Sequence, residues 1–175
     1  MSDAPIIYEE RQKLNLGLLW LPVLAPMLMM WYGFYQQIIK GRPVGSRPAP
    51  DAMLIVLFII FGLFFPYLML KTALILQVRP DGFYFRYYPF HLRYHKVSWL
   101  EIREAEIIAF SPVRDFGGYG IKYARGAKIY VARGKKGLKL TLSTGRQLIF
   151  SSDNPEMLLS YMGGHWPRQG KAFGE

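Results

Sequence analysis

The chain has 175 residues, 51% of them apolar and 16% aromatic, with a net charge of +10 and no cysteine. That leaves room for one modest domain and something more, and it excludes disulfides, thiol catalysis and cysteine-ligated metal. Mean hydropathy is only +0.10, so the apolar residues are gathered into runs rather than spread evenly.

Residues 1–13 are polar and of mixed charge. Glu9 and Glu10 beside Arg11 and Lys13 make a poor signal-peptide n-region, and no small-x-small cleavage pattern follows. The apolar run behind them is therefore expected to be retained. That run, 16–35, carries no charge. Pro22 and Pro26 should bend it, Trp20 lies near one end, and Trp31, Tyr32 and Tyr35 gather at the other, as interfacial aromatic belts do. Residues 36–51 form a connector with Gly41, Pro43, Gly45, Pro48 and Pro50, short enough to join two antiparallel helices.

The second apolar run, 52–70, is closed off by Asp51 before it and Lys71 after it. Nineteen residues at about 1.5 Å each reach roughly 28 Å, close to the ~30 Å hydrocarbon thickness of a bilayer. Thirteen of them are Leu, Ile, Val or Phe, which favours insertion by about 4 to 8 kcal/mol at most. Pro66 predicts a kink near the exit. We expect a two-helix transmembrane hairpin within 1–71, in a cell membrane, rather than a buried helix pair of a soluble core. Arg11, Lys13, Lys71, Arg79 and Arg86 flank the termini side and Lys40, Arg42 and Arg47 the connector side. Five against three predicts that both termini are cytoplasmic. The rest of the chain carries 16 basic and 8 acidic residues. Basic charge next to spanning segments is explained by anionic lipid head groups, with no nucleic acid required.

From Thr72 the hydrophobic period becomes two. A strand at 73–79, the turn Pro80-Asp81-Gly82 and a return strand at 83–88 predict a hairpin. Residues 89–93 are ambiguous, with a further short strand as one reading. Ser98-Trp99-Leu100-Glu101 matches a capping box. Strands are predicted at 104–110, 119–124, 128–133, 138–143 and 146–151, with a loop at 111–118. Leu138, Leu140 and Leu142 alternate with Lys139, Thr141 and Ser143, the mark of an antiparallel sheet with one wet face. Asn154-Pro155 should start a helix whose face carries Leu158, Tyr161 and Met162, and Gly163-Gly164 should end it. Residues 163–175 read as a tail.

The expected fold class is thus α+β: a transmembrane hairpin, then about seven antiparallel strands over 72–162 closed by one C-terminal helix. Val78-Arg79-Pro80-Asp81-Gly82-Phe83, Trp99-Leu100-Glu101-Ile102, the glycine-rich Arg114-Asp115-Phe116-Gly117-Gly118-Tyr119-Gly120-Ile121, Gly134-Lys135-Lys136-Gly137-Leu138 and Asn154-Pro155-Glu156 carry a resemblance. In them the chain resembles an uncharacterised family of small prokaryotic membrane proteins with two N-terminal spans and a bacterial pleckstrin-homology-like domain. The resemblance implies a PH-like barrel or roll and a membrane location, and no activity.

Candidate chemistry is sparse. Three glycines among Gly117, Gly118, Tyr119 and Gly120 allow close backbone approach or positive φ, so Arg114 and nearby amides could hold an anion. The structural alternative, which we favour, has Asp115 capping the loop, Arg114 pairing with Asp115 or with a sheet-edge carbonyl, and the glycines forming a bulge. The spacing is not that of a nucleotide loop. Lys135 and Lys136 form a basic tip that could meet lipid phosphates or be a solvated turn. The tight Pro80-Asp81-Gly82 turn replaces the basic loop of inositide-binding PH domains, which argues against specific inositide binding. His91 and His95 are four apart but outside a helical pattern and without a third ligand. Glu101, Glu104 and Glu106 lack a partner for acid–base work, and Ser111, Ser143, Ser151 and Ser152 lack a nucleophile elbow. We expect no cofactor and no enzymatic activity. The expected role is a membrane-anchored interaction module with a protein partner or a second copy, and the alternative is an anionic-lipid sensor.

Overall fold

The structure is a computed structural model and describes residues 4–14, 17, 21–124 and 126–164. Trp20, the start of the first apolar run and the tail from His165 lie outside the described residues. The chain divides into two compact units: residues 16–71 form one, while residues 1–15 and 72–175 together form the other. The N-terminal segment therefore belongs with the β-rich unit, not with the apolar helices that follow it.

In the helical unit, α1 (Leu21–Gly33) continues in a wider π-helical path over Phe34–Ile39. After the connector, α2 (Asp51–Leu57), a π-helical stretch Phe58–Phe64 and α3 (Phe65–Lys71) form one continuous helix. It is the one helix among the described residues that is long and apolar enough to cross a membrane. The expectation of a second such helix rests partly on residues outside the description. The two helical segments pack antiparallel: Phe34 stacks on Phe58 with ring centroids 4.2 Å apart, and the Trp31 ring meets Phe58 edge-on at 5.0 Å. Pro66 has no N–H to give the Gly62 carbonyl four residues back, and the Trp31 indole donates to that carbonyl at 3.1 Å. Gln37 Nε2 donates to Ala49 O and to Asp51 Oδ1, both at 2.7 Å, holding the ends of the connector.

The other unit has nine strands among the described residues, in two sheets. The first sheet is β1 (Tyr8–Lys13), β2 (Ala73–Arg79), β3 (Gly82–Tyr88) and β4 (His95–Val97) in that order, all antiparallel. The second contains β5 (Ile102–Ala109), β6 (Gly120–Ala124), β7 (Ala127–Val131), β8 (Lys136–Leu142) and β9 (Gln147–Ser151) in the order β5-β8-β9-β7-β6. A 3₁₀ turn, Trp99–Glu101, joins the sheets with both capping-box bonds present.

Five expectations are corrected. Residues 8–13 form an edge strand where a polar segment was read. The ambiguous 89–93 stretch is a turn, and the extra strand falls at His95–Val97. The 111–118 loop contains a short helix, α4 (Pro112–Phe116). The second sheet is not wholly antiparallel, because β9 inserts between β8 and β7 and runs parallel to β7. The two sheets are also separate rather than one closed barrel.

The core lies between them. Leu74, Leu76, Val78, Phe83, Phe85 and Tyr87 from the first sheet meet Tyr130, Leu138, Leu140 and Phe150 from the second, and α5 (Pro155–Gly163) adds Leu158 and Met162. Lys139 and Thr141 remain half-exposed while Leu138 and Leu140 are fully buried, as the alternation of that strand requires. A satellite cluster of Phe110, Ile129, Val131 and Ile149 covers the outer face of the second sheet, with Phe116 packed on it. Gly137 has a steric reason: a Cβ there would sit 2.0 Å from the Phe150 carbonyl oxygen.

Two outcomes follow. Gly137→Ala should force the β8–β9 ladder apart and cost roughly 1–3 kcal/mol, as overpacking does, measured by urea denaturation in detergent. Residues 4–14 joined to 72–164 through a tight linker of about two to five residues should fold cooperatively, because Lys13 and Ala73 face each other in register. Residues 72–164 alone should show no cooperative transition, and an equal transition in both would refute the shared domain.

Candidate functional site

The register of the first sheet places Lys13, Ala73 and Tyr88 in one row. The chain leaves for the helical unit after the first of these and returns just before the second. Two hydrogen bonds from the neighbouring row fasten this end to the second sheet: Gln12 Nε2 donates to Ser151 O at 2.7 Å, and Tyr87 Oη donates to Val131 O at 3.2 Å. In the second sheet the same end carries Ala109, Lys136, Ser151, Val131 and Gly120, because β5 and β6 meet β8 and β7 there in the observed register.

The candidate contact residues Arg114, Asp115, Gly117, Gly118, Gly120, Lys135 and Lys136 therefore come to one end of the β-rich unit, whereas Glu101 and Ser143 meet at the other. Lys135 O accepts from Phe110 N at 2.8 Å, which sets the 111–120 segment beside the basic tip. Within that segment Asp115 Oδ2 accepts the Ser111 N–H at 2.7 Å and Arg114 pairs with Asp115 at 3.3 Å. The Ser111 amide first, and Arg114 after it, hold the Asp115 carboxyl below its ordinary range. Gly117 ends α4 with φ 68°, where a side chain would be strained, and Gly118 N donates to Pro112 O at 2.7 Å. Gly120 opens β6. Asp115 thus ties the start of the segment to Arg114, whose guanidinium stays largely exposed, and Phe116 anchors the segment on Phe110 with ring centroids 5.2 Å apart. Lys136 reaches Glu156 at 3.4 Å, and Lys135 is exposed.

Beneath these loops lies a buried polar seam that the sequence reading missed. Glu10 Oε1 accepts the Asp153 N–H at 2.6 Å and Glu10 Oε2 the Ser152 hydroxyl at 2.7 Å. Ser151 Oγ donates to Gln12 Oε1 at 2.7 Å and accepts the Ala132 N–H at 3.0 Å. Arg133 forms a forked pair with Asp153. Burial pushes the Glu10 carboxyl up, against the three hydrogen bonds, from the Asp153 N–H and the Ser152 and Tyr8 hydroxyls, that favour its charge. It also raises the Tyr8 hydroxyl to about 12, with Glu10 adding to the effect. The hydroxyl protons of Ser151 and Ser152 are committed to Gln12 and Glu10, so the seam joins strands and does not present a nucleophile. No signal in the sequence marked Glu10 and Gln12, because β1 alternates between two polar faces.

His91 and His95 do come together, with ring centroids 4.4 Å apart, packed against Phe85 and, for His91, Tyr130. Among the described residues no group of three metal-ligating side chains forms. Burial, then the neighbouring His95 and Lys128, lowers His91 to about 4.

The seam predicts that Gln12→Ala, which leaves the Ser151 hydroxyl and carbonyl unpaired inside, costs about 1–3 kcal/mol in chemical denaturation. For His91, the unfolded chain takes up its proton near 6.5 and the folded chain near 4. Stability is therefore lost as pH falls through that window, and His91→Asn should flatten the decline of Tm between those values. An unchanged slope would refute it.

A family of unknown function (DUF6141) matches residues 1–163, a range that takes in β1, both helical segments and every strand among the described residues. Comparison with curated proteins and with solved structures finds no match. The chain belongs to this family of unknown function, DUF6141.

Proposed function

We propose that this protein is a membrane-anchored, non-enzymatic interaction module. Its two apolar helical segments cross a cell membrane as a hairpin, and its β-rich unit is held at the cytoplasmic face. The observation that carries this reading is the state of the helix Asp51–Lys71: only 22% of its most apolar window is buried within the protein. Met53, Val56, Ile59, Phe64 and Leu70 are all exposed, as are Leu28 and Met29 on α1. Contiguous apolar surface of that extent needs a covering, and lipid supplies one around a helix of bilayer length.

The β-rich unit is read as PH-like in architecture: two packed sheets and a closing C-terminal helix, with the β9 insertion as a variation. Its partner is a protein or a second copy of this chain. The free edge of β6, where Tyr123 is 77% exposed, offers a place for strand addition.

A second reading, contact with anionic lipid, is favoured by one observation. Arg114, Arg133, Lys135 and Lys136 lie at the end of the β-rich unit from which the chain departs for the apolar helices. Charges so placed would add to anchoring, with an effect that fades as salt rises.

The expected result is that the full chain stays with the membrane pellet through alkaline carbonate washing and is released by detergent. Recovery in detergent-free buffer would sink both readings. In vesicles containing phosphatidylglycerol, an aqueous quencher should reach a dye on Val113→Cys, an exposed uncharged position on α4 at the same end, less than in phosphatidylcholine vesicles, and the difference should shrink with salt. Equal quenching would remove the lipid reading alone.

A further inference from the structure

The segment 89–94 sits just past Tyr88, in the row shared with Lys13 and Ala73, and it is built to push two apolar side chains outward. Phe90 is 60% and Leu92 80% exposed. His91, between them, turns the opposite way. Its backbone N–H donates to Tyr87 O at 2.8 Å, its Nδ1 accepts the Tyr87 N–H at 3.4 Å, and its ring packs against His95 and Tyr130. On the far side Tyr94 is fixed by Gln77, which donates to its hydroxyl at 3.0 Å, and by the Arg86 guanidinium 4.5 Å over its ring. The base of the loop is thus pinned at both ends, and what it displays is Phe90, Leu92 and the exposed Arg93.

We infer that this loop is a lipid-dipping tip, whose Phe90 and Leu92 enter the headgroup–acyl boundary while Arg93 meets lipid phosphate. The inference rests on the membrane reading above. The occupant follows from chain continuity: Lys71 ends the apolar helix, Ala73 begins β2, and Tyr88 is directly opposite Ala73. An apolar pair beside a cation, presented from that row, has the make-up of an interfacial contact, and Tyr88 adds an amphipathic aromatic. Leu100 serves as the internal comparison. It is 84% exposed but lies in the turn beside Trp99, whose indole donates to Arg79 O and Pro80 O at the opposite end of the first sheet.

The absence of cysteine makes the test direct. Full-length Phe61→Cys, Leu92→Cys and Leu100→Cys proteins, each carrying one environment-sensitive dye, are reconstituted into phosphatidylcholine–phosphatidylglycerol vesicles with a nitroxide high on the acyl chain. The dyes at positions 61 and 92 should lose most of their emission and the dye at 100 should keep it. A bright dye at 92 with a quenched one at 61 would overturn the loop inference and leave the membrane reading standing. Bright dyes at all three positions would overturn both. Equal quenching at 92 and 100 would show no preference for this end, and a dye at 92 shielded from both nitroxide lipid and an aqueous quencher would mean that a second copy covers the tip; either result overturns the inference.

Discussion

The pairing of β1 with β2 is the constraint on which the rest of this structure depends. Six residues near the start of the chain lie opposite six that begin sixty positions beyond Lys13, from Tyr8 facing Val78 to Lys13 facing Ala73. The apolar helices are therefore an excursion that leaves a sheet and re-enters it one rung over. Closing so long a loop costs only slowly more as its length grows, and the returns are local: a backbone ladder, plus the polar seam from Glu10 and Gln12 to Ser151, Ser152 and Asp153.

That seam is made of groups that are expensive to bury alone. Each is satisfied by specific partners on the second sheet, so the position of β1 is set along its length as well as beside β2. Leucines along β1 could have slid; a glutamine exchanging two hydrogen bonds with one serine cannot slide without losing both. The loops at this end inherit that rigidity. α4 is held by Asp115 on the Ser111 amide, Phe116 covers the satellite cluster, and the basic tip is bonded to the end of β5.

The sequence made legible what depends on hydrophobic period and turn chemistry. The hairpin around Pro80-Asp81-Gly82, the Ser98–Glu101 capping box, the wet and dry faces of β8 and the helix after Asn154 all fall where those signals put them. What it hid depends on partners far away in the chain. β1 is polar on both faces and looks like a linker until β2 and β9 are beside it. The insertion of β9 between β8 and β7 is a choice among strands of similar pattern, which periodicity cannot order. The candidate residues Arg114, Asp115, Gly117, Gly118, Gly120, Lys135 and Lys136 were individually visible, but their meeting at one end is a property of the register alone.

The divided origin of the first sheet also governs how the molecule is made. Strand β1 emerges from the ribosome long before β2 exists, so it must wait, unpaired and water-compatible, while the greasy stretch is synthesised and housed. Its Tyr-Glu-Glu-Arg-Gln-Lys composition suits that wait, for a waiting strand of leucines would invite aggregation. The β-rich unit can close only once both helical segments have been made, which couples completion of the domain to completion of its own long excursion.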